Sequence, residues 1–191
     1  MPTRNEDLRS EPCKGTCVSV HEMVSIFYED TKQLGDFKQV ESNSVPEVYR
    51  TLLNHTNHMT VTVEEHHQDR VDVEVLRSDF VGNQYRREIL LCTQQTRKVV
   101  QYGIVRLNTK FLSDGPRQEI LEQRKPLGRV LIEHDVLREI ELFDLLEVRC
   151  GPVLSGLFRV PEGTVTYGRT ALLYCDNEPA IELLEIVTRE D

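Results

Sequence analysis

Two kinds of hydrophobic spacing divide the chain into a helical first part and a strand-rich remainder. Over residues 18–32, apolar side chains recur every three or four positions, which predicts an amphipathic helix. A second helix is predicted over 46–53, because Ser44 is a suitable cap and Pro46 suits a first helical turn. The intervening segment 35–45 has no regular spacing, and we interpret it as a loop.

From Met59 onwards apolar and polar residues alternate, which is typical of half-buried strands. A turn-like sequence at 66–69 separates the first two of these segments, so they are predicted to form a hairpin. Two further strands follow, which makes an antiparallel meander. The four predicted strands cover residues 60–65, 70–75, 85–93 and 99–108.

The rest of the chain mixes helical and strand signals. Helices are predicted over 117–124, over 126–134 and after Pro152. Further strands are predicted over 138–148, 164–175 and 180–188, the last two joined by a turn at 176–179. About six antiparallel strands with helices inserted between hairpins indicate an α+β domain.

Length and composition favour one globular domain. The chain has 191 residues, of which 39% are hydrophobic and 29% charged. Residues 1–17 are polar and contain Pro and Gly, so we expect a disordered tail followed by a single domain over 18–191. The first residues lack the apolar region of a signal peptide, and no apolar run approaches about 20 residues. We therefore expect a cytoplasmic protein with no membrane insertion.

The net charge of −9 restricts the partners. A nucleic-acid-binding protein needs a basic surface to replace counterions, so this class is disfavoured. If the ligand is an anion, a few well-placed arginines must provide the local positive potential. Composition and pattern do not fix the oligomeric state.

No cofactor or metal is predicted. The five cysteines are an odd number and widely scattered, which is not a disulfide framework. Cys13 and Cys17 form a short-spaced pair without a second pair, and the histidines lack the spacing of a helical zinc motif. No phosphate loop, dinucleotide fingerprint or nucleophile elbow occurs.

Arg87 is the first candidate for a binding residue. In the predicted strand it shares a face with Tyr85, Ile89 and Leu91. A guanidinium among apolar neighbours is costly to desolvate unless an anion meets it. That anion is either a ligand carboxylate, which matches the guanidinium fork, or an internal acid such as Glu88.

Arg169 and Glu185 are the second candidate pair. Arg169 is in register with apolar residues of its strand, and Glu185 shares its face with Ile181 and Leu183. A carboxylate on an apolar face either pairs with a buried arginine or has a raised pKa suited to proton transfer. A purely structural Arg169–Glu185 pair across the hairpin is therefore the alternative to a functional role.

Several short motifs occur together in an order that resembles the chorismate pyruvate-lyase (4-hydroxybenzoate synthase) family. They are His58-Met59-Thr60, Arg87-Glu88-Ile89-Leu90-Leu91-Cys92, Pro126-Leu127-Gly128-Arg129, Tyr167-Gly168-Arg169 and a glutamate in the last strand. Order and spacing match over about residues 52–187. The similarity is to a divergent branch with a longer N-terminal part, and the N-terminal extension of this chain has no counterpart.

The resemblance implies a six-stranded antiparallel sheet with helical flaps over a buried ligand pocket. The family reaction is a carbon–oxygen lyase reaction that eliminates pyruvate from chorismate and leaves 4-hydroxybenzoate. The reaction makes the ring aromatic, so it runs downhill without a cofactor. The enzyme must orient the substrate and stabilise charge on the departing group. The expected ligand is a small-molecule carboxylate.

The resemblance also implies roles for particular residues. Arg87 would bind the ring carboxylate, assisted by backbone N–H groups near Met59 and Leu127. Gly103 would lie beside the ligand, where a side chain would intrude. Glu185 would meet the hydroxyl at the far end of the ring and assist loss of the ring proton.

Two assignments stay open within this resemblance. Glu185 occupies the acidic position only if the last strand carries an extra residue after Pro179; otherwise Leu184 takes that position and Glu182 competes. The second carboxylate of chorismate would need a second cation, for which Arg169 and Arg106 are candidates.

Two other functions are compatible with the same fold. One is a non-catalytic small-molecule binding module, as in the effector-binding domain of a bacterial regulator family, although no helix-turn-helix is visible. The other is a lyase that acts on a chorismate-related substrate. Arg87 with a carboxylate opposite favours either enzyme, whereas product binding without turnover would favour the binding module.

Overall fold

A computed structural model of the chain describes residues 17–136 and 138–190, and this part contains seven strands and six α-helices. The strands are β1 Gly35–Val40, β2 Val71–Val81, β3 Gln84–Thr93, β4 Val99–Asn108, β5 Arg138–Cys150, β6 Val165–Cys175 and β7 Glu178–Val187. The helices are α1 Val20–Ser25, α2 Glu47–Leu53, α3 Met59–His67, α4 Asp114–Leu121, α5 Leu127–Glu133 and α6 Pro152–Phe158. Except for Cys17, the predicted tail lies outside the described residues.

The strands form one antiparallel sheet in the order β1-β5-β6-β7-β4-β3-β2. Strand β7 therefore lies in the interior of the sheet, between β6 and β4. The α+β class is confirmed, and the described residues have seven strands rather than about six. Strand β1 lies in the segment 35–45, so the interpretation of all of it as a loop was wrong. This strand is a sheet edge with only Gly35 fully buried, so its sequence lacks the alternation of a half-buried strand.

The strand predicted over 60–65 is wrong, because these residues lie within α3. Val and Thr at alternating positions favour a strand, but their helix penalty is only about 0.7 kcal/mol per residue at most. Packing outweighs that penalty: Met59, Thr60 and Val63 are buried against the neighbouring helices and the sheet. The turn at 66–69 is the helix end, where Gln68 adopts the left-handed conformation.

Other predicted elements match with shifted ends. Helices α2, α4, α5 and α6 and strands β2 to β7 coincide with predicted segments. The helix predicted over 18–32 is shorter, since only α1 and a 3-10 turn at Thr31–Gln33 are helical there. The last hairpin has a two-residue turn, in which Asp176 and Asn177 have φ of 52° and 67° as a type I′ turn requires. In the described part of the chain, no helix is long and apolar enough to cross a membrane.

Helices cover both faces of the sheet. Helices α1 and α6 pack on one face, over a core that includes Tyr102, Ile104 and Leu184. Helices α2 to α5 pack on the other face, over a core that includes Ile89, Val105 and other alternating residues. Because side chains alternate along each strand, the odd-numbered residues of β3, β4, β6 and β7 face the second group of helices. This second face contains the cavity that brings the candidate site residues together.

Candidate ligand-binding site

A cavity lies between the sheet and the first turns of α3 and α5. It encloses about 540 Å³ of space not filled by atoms, counting its mouth. Its floor consists of β3, β4 and β7, and most of its wall is apolar. The cavity brings together all the site residues predicted from the sequence, which are Met59, Arg87, Gly103, Leu127, Arg169 and Glu185.

Arg87 lies on the cavity floor with only 1% of its surface exposed. Its Nε and Nη1 atoms have no hydrogen-bond partner among residues 17–136 and 138–190. Burial lowers the pKa of the guanidinium, while the nearby Tyr85 acts in the opposite direction. A buried polar group without a partner is uncommon in native proteins and calls for an explanation, such as an absent ligand.

Glu88 does not neutralise Arg87. As the next residue of β3 it points to the opposite face, where Arg77 Nε donates to its Oε2 at 2.5 Å. Its Oε1 accepts from the hydroxyl of Tyr102 at 2.5 Å and from the hydroxyl of Tyr28. Burial, followed by the bond to Glu88, raises the pKa of Tyr28 to about 12. The carboxylate of Glu88 is therefore fully occupied, which leaves Arg87 available to a ligand.

Arg169 and Glu185 form a buried ion pair at the other side of the cavity. Arg169 Nε donates to Glu185 Oε2 at 2.7 Å, and the two residues are directly opposite on β6 and β7. Arg169 Nη1 also donates to the backbone oxygens of Leu53 at 3.1 Å and His55 at 2.8 Å. Most of the hydrogen-bonding capacity of Arg169 is thus used inside the protein.

Of the two glutamates in competition, Glu185 lies in the cavity and Glu182 does not. Glu185 is opposite Gly103 of β4, which also lines the cavity. Glu182 is on the other face, where Arg106 Nη2 donates to its Oε1 at 2.7 Å and Arg106 Nε bonds its second oxygen. Arg106 therefore faces away from the cavity and cannot serve as the second cation.

Gln101 is a cavity residue that the sequence reasoning missed. It is 3% exposed, and its Nε2 donates to Glu185 Oε1 at 3.5 Å. The amide nitrogen must face Glu185, because a carboxylate can only accept. Its Oε1 then has no donor within the described part of the chain. The signal in the sequence was a lone polar residue on the inward face of β4, in register with Gly103 and Val105.

Met59 and Leu127 begin the two helices at the cavity wall. Met59 opens α3 rather than entering a strand, and Leu127 opens α5; neither helix has a side-chain cap. The first N–H groups of a helix have no intrahelical acceptor and favour anions. A Cβ on Gly128 would lie 2.9 Å from Thr60 Oγ1, so this glycine allows the two helix starts to approach each other.

Gly103 leaves room in the cavity rather than in the protein framework. A Cβ at this position would lie 3.4 Å from side-chain atoms of Ile89 and 3.5 Å from the backbone oxygen of Leu184. These are ordinary contact distances, so the sheet itself would accept an alanine. The missing side chain therefore enlarges the cavity floor.

His58 contributes a neutral ring to the cavity wall. Burial, together with the charges of Arg138 and Arg169, lowers its pKa to about 4. Arg138 Nε donates to His58 Nε2, which fixes the ring at the start of α3. The charged groups of the lining are then Arg87, Arg169 and Glu185, which sum to a single positive charge. A ligand with one negative charge would balance it.

No protein-family model and no curated protein matches the chain. Among solved structures, the effector domain of PhnF from Mycobacterium smegmatis is similar with a TM-score of 0.49 and 10% identity, over 69% of this chain and 88% of that chain. The ligand-binding domain of a candidate GntR-family transcriptional regulator from Bordetella bronchiseptica has a TM-score of 0.46 and 13% identity, over 64% and 91%. A possible transcriptional regulator from Bacillus subtilis, YydK, has a TM-score of 0.44 and 8% identity, over 62% and 57%.

The similarity thus spans little more than half of the YydK chain but most of the two isolated domains. These neighbours are described as an effector domain, the ligand-binding domain of a regulator and a possible transcriptional regulator. Identities of 8–13% concern the arrangement of the chain and carry no functional argument.

Proposed function

We propose that this chain binds a small aromatic monocarboxylate in the cavity, with Arg87 as the anchor of the carboxylate. The observation that carries this proposal is the buried guanidinium of Arg87, with two N–H-bearing atoms unpaired within the described residues. A carboxylate matches the planar fork of arginine and forms charge-assisted hydrogen bonds with it. The uncapped starts of α3 and α5 provide further N–H donors for an anion.

The opposite end of the cavity indicates a second polar group on the ligand. Arg87 pairs with Val105 of β4, and Gln101 lies four residues further along that strand, about 13 Å away at the Cα level. There Gln101 Oε1 and the Glu185 carboxylate are both hydrogen-bond acceptors, and Gln101 Oε1 has no donor among the described residues. A ligand with a carboxylate at one end, a flat apolar body and a hydroxyl at the other end satisfies both ends. 4-Hydroxybenzoate has this composition.

Titration with 4-hydroxybenzoate tests the proposal. We expect saturable binding by calorimetry, and an affinity about 10- to 100-fold lower in Arg87→Gln, because a charged hydrogen-bonded contact is lost. Arg86→Gln is the matched control, since Arg86 is the preceding residue of β3 and pairs with Asp79 outside the cavity. Equal affinities of the wild type and Arg87→Gln, or no binding to either, would refute the proposal.

A lyase that acts on chorismate is the second candidate. It is favoured by the presence of Arg87 and Glu185 in the same cavity, as the resemblance implies. Because Arg169 already uses its hydrogen bonds inside the protein, a binding function is favoured over catalysis. Chorismate carries two carboxylates, and Arg169 is already bonded to Glu185 and to two backbone oxygens. A lyase on a chorismate-related substrate with one carboxylate would not need that second cation.

Incubation with chorismate distinguishes binding from catalysis. For a binding module, 4-hydroxybenzoate and pyruvate do not form above the uncatalysed rate, although 4-hydroxybenzoate raises the Tm. For a lyase, the two products form in equal amounts and are lost in Arg87→Ala and Glu185→Gln. Chromatography of both products in one reaction separates enzymatic elimination from chemical decay of chorismate.

A further inference from the structure

We propose that His66, His67 and Glu190 form a zinc site outside the cavity. The two histidines occupy the last turn of α3, and Glu190 follows β7. One ligand atom from each residue, an imidazole nitrogen or a carboxylate oxygen, lies within 4.8 Å of the other two. This is the only such group of three among the described residues. Its donor set, two imidazoles and one carboxylate, is one that zinc commonly accepts.

The distances fit a metal better than they fit direct pairing. His66 Nε2 lies 3.3 Å from Glu190 Oε2, and His67 Nε2 lies 3.7 Å from Glu190 Oε1. Charge-assisted hydrogen bonds between a nitrogen and a carboxylate are shorter, at about 2.7–2.9 Å. Tetrahedral zinc with bonds of about 2.0–2.1 Å separates its ligand atoms by about 3.3–3.4 Å.

Among the described residues, one oxygen of the Glu190 carboxylate lacks a hydrogen bond, and the other has only a long one, to His66 Nε2 at 3.3 Å. The side chain is 12% exposed, and Oε1 has no hydrogen bond to any residue in the described ranges. A buried carboxylate oxygen without a hydrogen bond is costly, and a divalent cation between the three side chains would remove that cost.

The backbone holds the three residues in place. Glu190 N donates to the hydroxyl of Tyr49 at 2.9 Å, which ties this segment to α2. The histidines are fixed by the end of α3, a helix packed against α2 and α5. His66 and Glu190 are 124 positions apart, so no sequence spacing could reveal the site. The metal would join the segment after β7 to α3, with a fourth coordination position open to water.

Zinc titration of the full chain tests this site. We expect one zinc ion per chain by calorimetry, with an affinity at least tenfold lower in His66→Gln, His67→Gln and Glu190→Gln. His21→Gln is the matched control, because His21 is an exposed histidine of α1 on the other face of the sheet. A hundredfold excess of zinc over its Kd should raise the Tm by about 5 °C or more in the wild type and not in Glu190→Gln.

The cysteine pair Cys13 and Cys17 requires its own control, since thiolates also bind zinc. Cobalt reports the ligands directly, because thiolate ligands produce a charge-transfer absorption that imidazole and carboxylate ligands do not. We expect cobalt binding without this absorption, unchanged in Cys13→Ser/Cys17→Ser. The proposal is overturned if the wild type binds no metal, if the thiolate band appears and the cysteine variant loses binding, or if the three ligand variants bind as the wild type does.

Discussion

Arg87 illustrates how one side chain can favour binding at the expense of stability. Its guanidinium is buried near Tyr85, and no acidic side chain of the described residues pairs with it. Replacement of a buried ion pair by apolar residues of similar volume is often neutral or stabilising by about 1–4 kcal/mol, and a buried charge without an anion has no pairing energy to lose. We therefore predict that Arg87→Met has a free energy of unfolding about 1–3 kcal/mol higher than the wild type, measured by urea denaturation without ligand.

The same variant should lose its response to 4-hydroxybenzoate. The Tm of the wild type should rise with ligand, whereas the Tm of Arg87→Met should not. The difference in Tm between the two proteins should therefore shrink or change sign as the ligand concentration rises. A lower stability of Arg87→Met without ligand would show that the guanidinium contributes to the folded state through contacts other than an anion.

The pH dependence of stability should report the buried state of His58. Its folded pKa of about 4 is below the ordinary value of 6.5, so the unfolded chain binds the proton first as the pH falls. This contribution to stability is full above pH 6.5 and is lost progressively between pH 6.5 and pH 4. Between pH 7 and pH 5 we predict a loss of about 2 kcal/mol from this group.

His58→Gln provides the comparison, because glutamine does not titrate and its carbonyl still accepts from Arg138. Urea denaturation at each pH should give a difference between wild type and variant that grows by about 2 kcal/mol from pH 7 to pH 5. Parallel pH profiles for the two proteins would contradict the lowered pKa.

Gly103 should be a residue whose substitution affects the ligand but not the fold. A Cβ added to Gly103 would lie 3.4 Å or more from every neighbouring protein atom. Since alanine gives the unfolded chain less conformational entropy to lose on folding than glycine does, Gly103→Ala should keep or slightly raise the free energy of unfolding. We predict about tenfold weaker binding of 4-hydroxybenzoate, measured by calorimetry. A large loss of stability with intact affinity would place the glycine in the framework instead.

At this scale the sequence located Arg87, Arg169 and Glu185 because inward-facing charges interrupt an apolar face every second residue. It could not decide between Glu182 and Glu185, since a shift of one residue in register reverses the face. In the structure Glu185 faces the cavity. Gln101 also lines the cavity, and it was not predicted because it carries no charge.

Helices α3 and α5 meet at their first turns, and this contact shapes the cavity mouth. A Cβ added to Gly128 would lie 2.9 Å from Thr60 Oγ1 and 3.3 Å from His58 Cβ. Gly128→Ala should therefore lower the free energy of unfolding by about 1–2 kcal/mol.

A double-mutant cycle with Thr60→Ala tests the cause. Removal of the Thr60 hydroxyl should recover part of the loss caused by Gly128→Ala, which gives a coupling of about 0.5 kcal/mol or more in urea denaturation. Additive losses would show that the helix starts can separate freely.

At the scale of elements, sequence patterns succeeded where one face is buried and failed where tertiary contacts decide. The alternation in β3, β4, β6 and β7 predicted strands that bury one side. Alternating Val and Thr within α3 gave the same signal, but its packing on α2 and α5 selects a helix. Strand β1 was not predicted, because an edge strand that pairs only with β5 needs no alternation of apolar and polar residues.

The net charge of the whole molecule opposes its proposed ligand. With −9 overall, the protein repels a carboxylate until it reaches the positive groups of the cavity. Raising salt from about 10 mM to about 150 mM shortens the screening length from about 30 Å to about 8 Å. We predict that the association rate of 4-hydroxybenzoate rises about two- to threefold over this range, measured by stopped-flow fluorescence of the ligand. A rate that falls with salt would mean that local attraction at the cavity mouth dominates.

The interior position of β7 governs when the protein can assemble during synthesis. The strands β2 to β4 are made before β5 and β6, which pair with the earlier β1, and each group leaves an open edge that β7 joins. Because β7 is the last of the described strands in the sequence, the nascent chain must hold two incomplete sheets with unpaired edges until β7 has been synthesised. Glu185 lies on this strand, so the cavity is completed in the same step. A ribosome that stalls before β7 would therefore release an aggregation-prone fragment, whereas a synthetic β7 peptide offers a route to complementation in trans.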